Sequence, residues 1–306
     1  MARKVKISVL AADKPHVYQG RKDALSAVAN MKEYWDKQLQ QAVNEKADIV
    51  LLPEDCDRFS DMEASIYPEY NRIRLLEMPM FFKNYAKINH LGILHSSLTE
   101  KANRTVAYDR EGNMAGFYDK VFPTIWEIED GIIPGIGAKT FAIDQIKKAG
   151  FAICFDLNFD ELRQQYIEQK PEVMFFSSMF HGGLQQQTWA YSTRAFFVSS
   201  IFGNQSRIMA PNGTVLASTS NHNNHCCATV NLDSRLIHLD YNMVKFDAIK
   251  KKYRDQFVID DTGYLASVMI YNEMDDITID DIIREFQLET LDNYFNRSRD
   301  KRNDSL

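Results

Sequence analysis

Hydrophobic and polar positions along the chain change period several times, and each change predicts an element. Val5, Ile7 and Val9 alternate with Lys4, Lys6 and Ser8, a two-residue period that predicts a strand. Met31, Trp35, Leu39 and Val43 then recur at four-residue spacing, which predicts a helix. Ile49 to Leu52 is a continuous apolar run closed by Pro53 and Glu54, the pattern of a strand buried on both faces. A second helix is expected from about Asn71 to Asn89, bent near Pro79, and Leu91 to Leu94 open another apolar run.

The texture then changes to hairpins. Thr105 to Tyr108 and Met114 to Tyr118 flank the turn cluster Arg110-Glu111-Gly112-Asn113, and Asn212-Gly213 joins Ser206 to Ala210 with Thr214 to Ser218. Between them lie two further buried strands, Ala149 to Phe155 and Val173 to Ser177, and a helix expected from about Gln185 to Ser200. This alternation predicts an α/β fold of layered sheets with helices outside. Near the end, Thr278 caps a helix expected over 279–296, with Ile279, Ile282, Ile283, Phe286 and Tyr294 near one face. That stripe suits either the chain's own core or a second subunit, and the polar residues 297–306 are expected to be disordered.

Composition narrows the classes. The chain has 306 residues with only 13 Gly and 8 Pro and no linker-like stretch, so 1–296 reads as a single domain. A net charge of −6 argues against non-specific nucleic-acid binding, which needs a basic surface. No run approaches the roughly 20 apolar residues of a membrane helix, and the polar Ala12-Asp13-Lys14 interrupts any leader, so a cytoplasmic protein is expected. Cys56, Cys154, Cys226 and Cys227 lack a framework of spacings and read as free thiols.

Three apolar runs finish on a residue able to do chemistry: Glu54, Lys120 and Cys154. Strand ends project side chains into a common crevice above a sheet, where a carboxylate, an ammonium and a thiol would form a nucleophilic site. A thiol reacts as its thiolate, so Glu54 would take the proton and Lys120 favour the anion. Lys120 and the N–H of Phe155 would hold the charge that develops on a carbonyl oxygen under attack.

The wording of these segments is specific. Ala47-Asp48-Ile49-Val50-Leu51-Leu52-Pro53-Glu54, Tyr118-Asp119-Lys120-Val121-Phe122-Pro123-Thr124 and Gly150-Phe151-Ala152-Ile153-Cys154-Phe155-Asp156 resemble, in order and spacing, the Glu-Lys-Cys segments of the nitrilase superfamily of carbon–nitrogen hydrolases. The hairpin from Asn103 to Lys120, Glu161, Arg194-Ala195 and Pro211-Asn212-Gly213 resemble further family features, out to about Asp233. The resemblance implies a four-layer αββα sandwich, a homodimer or higher homo-oligomer, and no metal or organic cofactor. It also implies a second glutamate, for which Glu127 is the choice and Glu129 the fallback. Cys154-Phe155-Asp156 is similar to the amidase and carbamoylase branches rather than to true nitrilases, so a small amide or N-carbamoyl substrate is expected, with nitrile hydrolysis or a non-catalytic binding protein as alternatives. Trp126, Ser178, Phe180 and His181 are expected around the substrate with Phe155.

Two weaker signals are set aside. His222, His225, Cys226 and Cys227 sit on an alternating strand pattern, which separates neighbouring side chains that a metal would need converged. Gly131 to Thr140 lacks the glycine before its lysine, Lys139, that a phosphate loop requires. The sequons at Asn103, Asn204 and Asn212 carry no weight without a secretory signal.

Overall fold

The computed structural model describes residues 1–11, 23–59, 61–203 and 205–306, so the sequon at Asn204 lies outside the described residues. The alternation of apolar side chains sets the layers. The first half runs β1 (Lys4–Leu10), α1 (Ala24–Asn44), β2 (Ile49–Leu51), α2 (Tyr67–Asn89), β3 (Gly92–Leu98), β4 (Asn103–Tyr108), β5 (Met114–Asp119) and α3 (Ile125–Glu129). The second runs β6 (Thr140–Ile143), β7 (Ile146–Ile153), α4 (Asp160–Gln169), β8 (Val173–Ser178), α5 (Leu184–Thr193), β9 (Phe196–Ile201), β10 (Arg207–Met209), β11 (Val215–Ser218) and β12 (His225–Asn231).

Two six-stranded sheets result, ordered β12-β1-β2-β3-β4-β5 and β11-β10-β9-β8-β7-β6. In each, three parallel strands (β1-β2-β3 and β7-β8-β9) are extended by antiparallel neighbours. Ile49, Leu51 and Leu94 of one sheet meet Phe151, Ile153, Phe175 and Val198 of the other in a shared inner core. Their sequence neighbours Val50 and Ile93 turn outward onto α1 and α2, burying Met31, Trp35 and Leu39. On the far side, Ala152, Met174, Phe176 and Phe197 pack beneath Leu162, Tyr166 and Trp189 of α4 and α5. Strands covered on both faces explain the continuous apolar runs, and the result is the expected αββα sandwich.

Local expectations are corrected in three places. The helix expected over 185–200 stops at Thr193, because Arg194 adopts a left-handed φ of 59° and Phe196–Ile201 becomes β9, buried throughout. A short, wholly apolar run has no period to separate helix from strand. The terminal helix is two helices, α7 (Ile279–Glu285) and α8 (Leu291–Asn303), broken where Gln287 takes a φ of 50°. Residues 297–306, expected to be disordered, are helical as far as Asn303: Thr290 caps α8, Asp292 and Lys301-Arg302 match its dipole, and Arg297 forms a fork with Glu289. The apolar stripe packs within the chain, on a third sheet of β13 (Ser234–His238), β14 (Phe257–Asp260) and β15 (Ser267–Asn272), beside α6 (Phe246–Tyr253).

Candidate active site

Glu54, Lys120 and Cys154 follow β2, β5 and β7, and the pairing of strands within and between the sheets brings them together. Lys120 Nζ lies 3.1 Å from Glu54 Oε1 and 2.8 Å from Glu127 Oε2, and all three side chains are buried. Cys154 lines the same cavity as Glu54 and Lys120, and the charges of both act on its thiol. Asn103 completes the cluster: its Nδ2 donates to Glu54 Oε1 at 2.7 Å and to Glu127 Oε1 at 2.8 Å, so one amide holds both carboxylates beside the ammonium. The Met179 N–H donates to Glu54 Oε2 at 3.1 Å, bringing the end of β8 to the same carboxylate.

Each side chain is set by local sequence. Glu127 is the third residue of a capping box on α3: Thr124 N–H donates to Glu127 Oε2 at 2.7 Å while Thr124 Oγ1 accepts from Glu127 N–H. Four donors from Thr124, Asn103 and Lys120 thus fix the carboxylate. Cys154 has a φ of 48°, a left-handed conformation at the junction of β7 with a tight 3-10 turn, which lifts the sulfur out of the sheet. Asp156 stabilises that junction, accepting from Ile153 N–H at 2.9 Å, Phe122 N–H at 2.7 Å and Tyr118 OH at 2.8 Å. The carboxylate therefore ties the cysteine turn to the lysine segment.

The electrostatics follow from burial. Burial raises the Glu54 carboxyl above the usual carboxylate range, although Lys120, Asn103 and Cys154 pull it down. Burial would lower Lys120, but the charges of Glu54 and Cys154 and the bond to Glu127 outweigh it, and the ammonium is held more firmly than usual. Burial would likewise raise Glu127, yet Lys120, Asn103 and Thr124 bring it below the normal range. Burial and the adjacent Glu54 charge push the Cys154 thiol up to about 12, with Lys120 opposing. Burial lifts Asp156 to about 6 against its three donors. At neutrality Cys154 rests as a thiol, not as a thiolate, so the sulfur must lose its proton during attack.

These groups line a cavity of about 490 Å³ together with Phe59, Leu98 and Phe202, with the exposed Trp126 and Met179 at its mouth. Of the side chains expected around the substrate, Trp126 lines it. Phe155 packs edge-on against Phe159, Ser178 Oγ is bonded to the Phe180 carbonyl, Phe180 packs on Phe176, and His181 Nδ1 accepts from Gly183 N–H. Glu129 is exposed on α3, two residues beyond the turn that aims Glu127 inward, and Glu161 is exposed on α4. Elsewhere, Cys226 faces the inner core and Cys227 the helical side, and among the described residues no three His, Cys, Asp or Glu side chains converge as metal ligands.

With this arrangement in view, the comparisons are decisive for the family. Residues 17–240 match the carbon-nitrogen hydrolase family. The chain belongs to the carbon–nitrogen hydrolase family. The NitFhit protein of C. elegans has a similar structure, with a TM-score of 0.61 and 18% identity over 84% of this chain and 66% of NitFhit, so this chain spans about two thirds of that protein. A carbon-nitrogen hydrolase from Helicobacter pylori G27 gives a TM-score of 0.62 at 14% identity, covering 83% of this chain and 96% of its own. An amidase from Nesterenkonia gives 0.61 at 12% identity, covering 81% and 96% respectively. Among curated proteins none matches the sequence. This carbon–nitrogen hydrolase contains no helix, among its described residues, long and apolar enough to cross a membrane.

Asn103, the Met179 N–H and the positioning Asp156 escaped prediction as site groups. Asn103 owes its place to register, opposite Leu98 in the β3–β4 pair and with its carbonyl accepting from Lys120 N–H. The signal that fixes Glu127 was present, since Thr124-Ile125-Trp126-Glu127 is a capping-box pattern.

Proposed function

We propose that this carbon–nitrogen hydrolase cleaves a non-peptide amide or N-carbamoyl bond through an acyl-cysteine at Cys154, releasing ammonia. The observation that carries the reading is Cys154 lining one cavity with Glu54 and Lys120, which are paired with each other at 3.1 Å. As the sulfur attacks the carbonyl carbon, Glu54 takes the thiol proton and an S–C bond forms. Negative charge on the carbonyl oxygen is met by the Lys120 ammonium, with the Phe155 N–H as second donor. The C–N bond then breaks, the proton returns from Glu54 to the leaving nitrogen, and ammonia departs. Water, deprotonated by Glu54, attacks the thioester, frees the acid and restores the thiol. Glu127 and Asn103 keep Lys120 and Glu54 in place through both halves. The similar Nesterenkonia amidase has been seen with the acetamide moiety of fluoroacetamide added to its active-site cysteine, which supports the same chemistry here.

The test is ammonia release from small amides, half-amides of dicarboxylic acids, N-carbamoyl amines and nitriles, beside Cys154→Ala. Turnover of an amide or carbamoyl class that falls more than about a thousandfold in the variant, with the melting temperature retained, is expected. Turnover of nitriles alone would replace the amide reading with a nitrilase one, and activity retained by Cys154→Ala would overturn the mechanism. The reading includes a homodimer in a reducing cytoplasm, supported by four free cysteines and by the exposed apolar side chains of Trp126 and Met179 at the cavity; sedimentation showing only monomers at micromolar concentration would remove the dimer.

A further inference from the structure

The cavity is larger than the scissile bond of a simple amide requires, and among the described residues its lining carries one cation besides Lys120. Arg58 lines the cavity with Asp55, Phe59, Leu98 and Trp126. A guanidinium carries five N–H donors. Among the described residues Arg58 uses one, a long 3.5 Å contact from Nη1 to Asp55 Oδ2, while its plane lies over the Tyr67 ring at 5.1 Å. That contact is an ion pair, but a long one, and Asp55 is shared: its Oδ1 accepts from Leu98 N–H and lies 3.8 Å from the wholly buried Arg74. Arg74 shows the contrast: its Nη1 bonds Asp57 Oδ1 at 2.6 Å, its Nη2 the Leu98 carbonyl and its Nε Asn71 Oδ1.

The loop that presents Arg58 is rigid. Trp35 Nε1 and Tyr70 OH donate to the carbonyls of Cys56 and Asp57, and Cys56 N–H donates to the Ser96 carbonyl. The same turn begins at Glu54, so the positions of the general base and the guanidinium are set together. A substrate seated at Cys154 would cover the mouth and strip water from Arg58. A neutral tail would leave its free donors unpaired, a cationic tail beside Arg58 would meet the guanidinium, and a carboxylate would engage it as a two-bond fork.

We infer that the substrate is an amide with a carboxylate at the end remote from the scissile bond, joined to it by an apolar stretch, and that Arg58 receives that carboxylate. This rests on the amide-hydrolase reading above. The test compares half-amides of four- to eight-carbon dicarboxylic acids with unbranched neutral amides of the same length. In the wild type, kcat/KM is expected to favour a half-amide by about 10–100-fold over its neutral counterpart. Arg58→Met is expected to remove most of that ratio, chiefly through KM, and Arg58→Lys to restore part of it. Calorimetric binding of the same compounds to Cys154→Ala reads the preference without turnover, so it separates failure of the chemistry from failure of the inference. A ratio near one in the wild type, or neutral amides bound as tightly as half-amides by Cys154→Ala, would overturn it; so would an Arg58→Met variant that remains folded and keeps the ratio.

Discussion

The parallel strands of this protein end in two clefts of similar size and opposite character. At their carboxyl ends, a cavity of about 490 Å³ holds Cys154 beside Glu54, Lys120 and Glu127, whose charged groups bond to one another and are buried. At their amino ends, a cavity of about 540 Å³ is lined by Lys147, Lys148, Lys170, Arg194 and Arg235. These cations face solvent or solvent-exposed partners: Arg194 pairs with Asp292 at 3.0 Å and Arg235 with Asp280 at 2.6 Å. Volume does not distinguish the two; burial of charge in fixed geometry does. Exposed pairs are screened and add little, whereas a buried ammonium between carboxylates persists only where surrounding bonds compensate its desolvation.

The sharpest way to break this contrast is to remove a charge from each end. Glu54→Gln should lower kcat by about 10²–10⁴-fold, the contribution of a general base, with the fold retained. Turnover in an Arg194→Met variant should remain near that of the wild type, because Arg194 lies at the amino-end cleft. Stability should separate the ends as well. Lys120→Met strands two buried carboxylates and should cost about 3–5 kcal/mol in urea denaturation, against less than about 1 kcal/mol for loss of the Arg194–Asp292 pair.

A smaller effect concerns pH. Glu54 acts ionised, and burial raises its carboxyl, so it takes up its proton before an ordinary glutamate would as pH falls. The acid limb of kcat/KM should therefore lie above the usual glutamate value of about 4.3. Asp156, held at about 6, loses its ionised acceptor role over the same descent and adds to that limb. A limb at or below about 4.3 would remove the burial argument.

Much of the carboxyl-end site was legible because strand ends are where an apolar run meets a functional group. Glu54, Lys120 and Cys154 each close such a run, and Thr124 with Glu127 spells its own cap. The two-period alternation of β1 and the apolar runs of β2, β7 and β8 likewise give the layers. What escaped depends on contacts between distant segments. Asn103 becomes a bridge only through the β3–β4 register, and Arg58 faces the cavity only because Trp35, Tyr70 and Ser96 hold its loop. Phe196–Ile201 hid as helix because burial on both faces erases periodicity, and α8 hid as disorder because its polar residues are stabilised by caps and pairs rather than by a buried stripe.

The proposed mechanism requires Glu54 and Cys154 to behave as one coupled pair, and the most direct measurement is the pH dependence of Cys154 alkylation by iodoacetamide, read by peptide mass spectrometry in wild type and Glu54→Gln. Burial and the neighbouring carboxylate hold the wild-type thiol at about 12, so its rate should keep climbing through pH 10 without a plateau. Removing the carboxylate while keeping Lys120 should bring the midpoint down and expose the plateau. An unchanged profile in the Glu54→Gln protein would contradict the account.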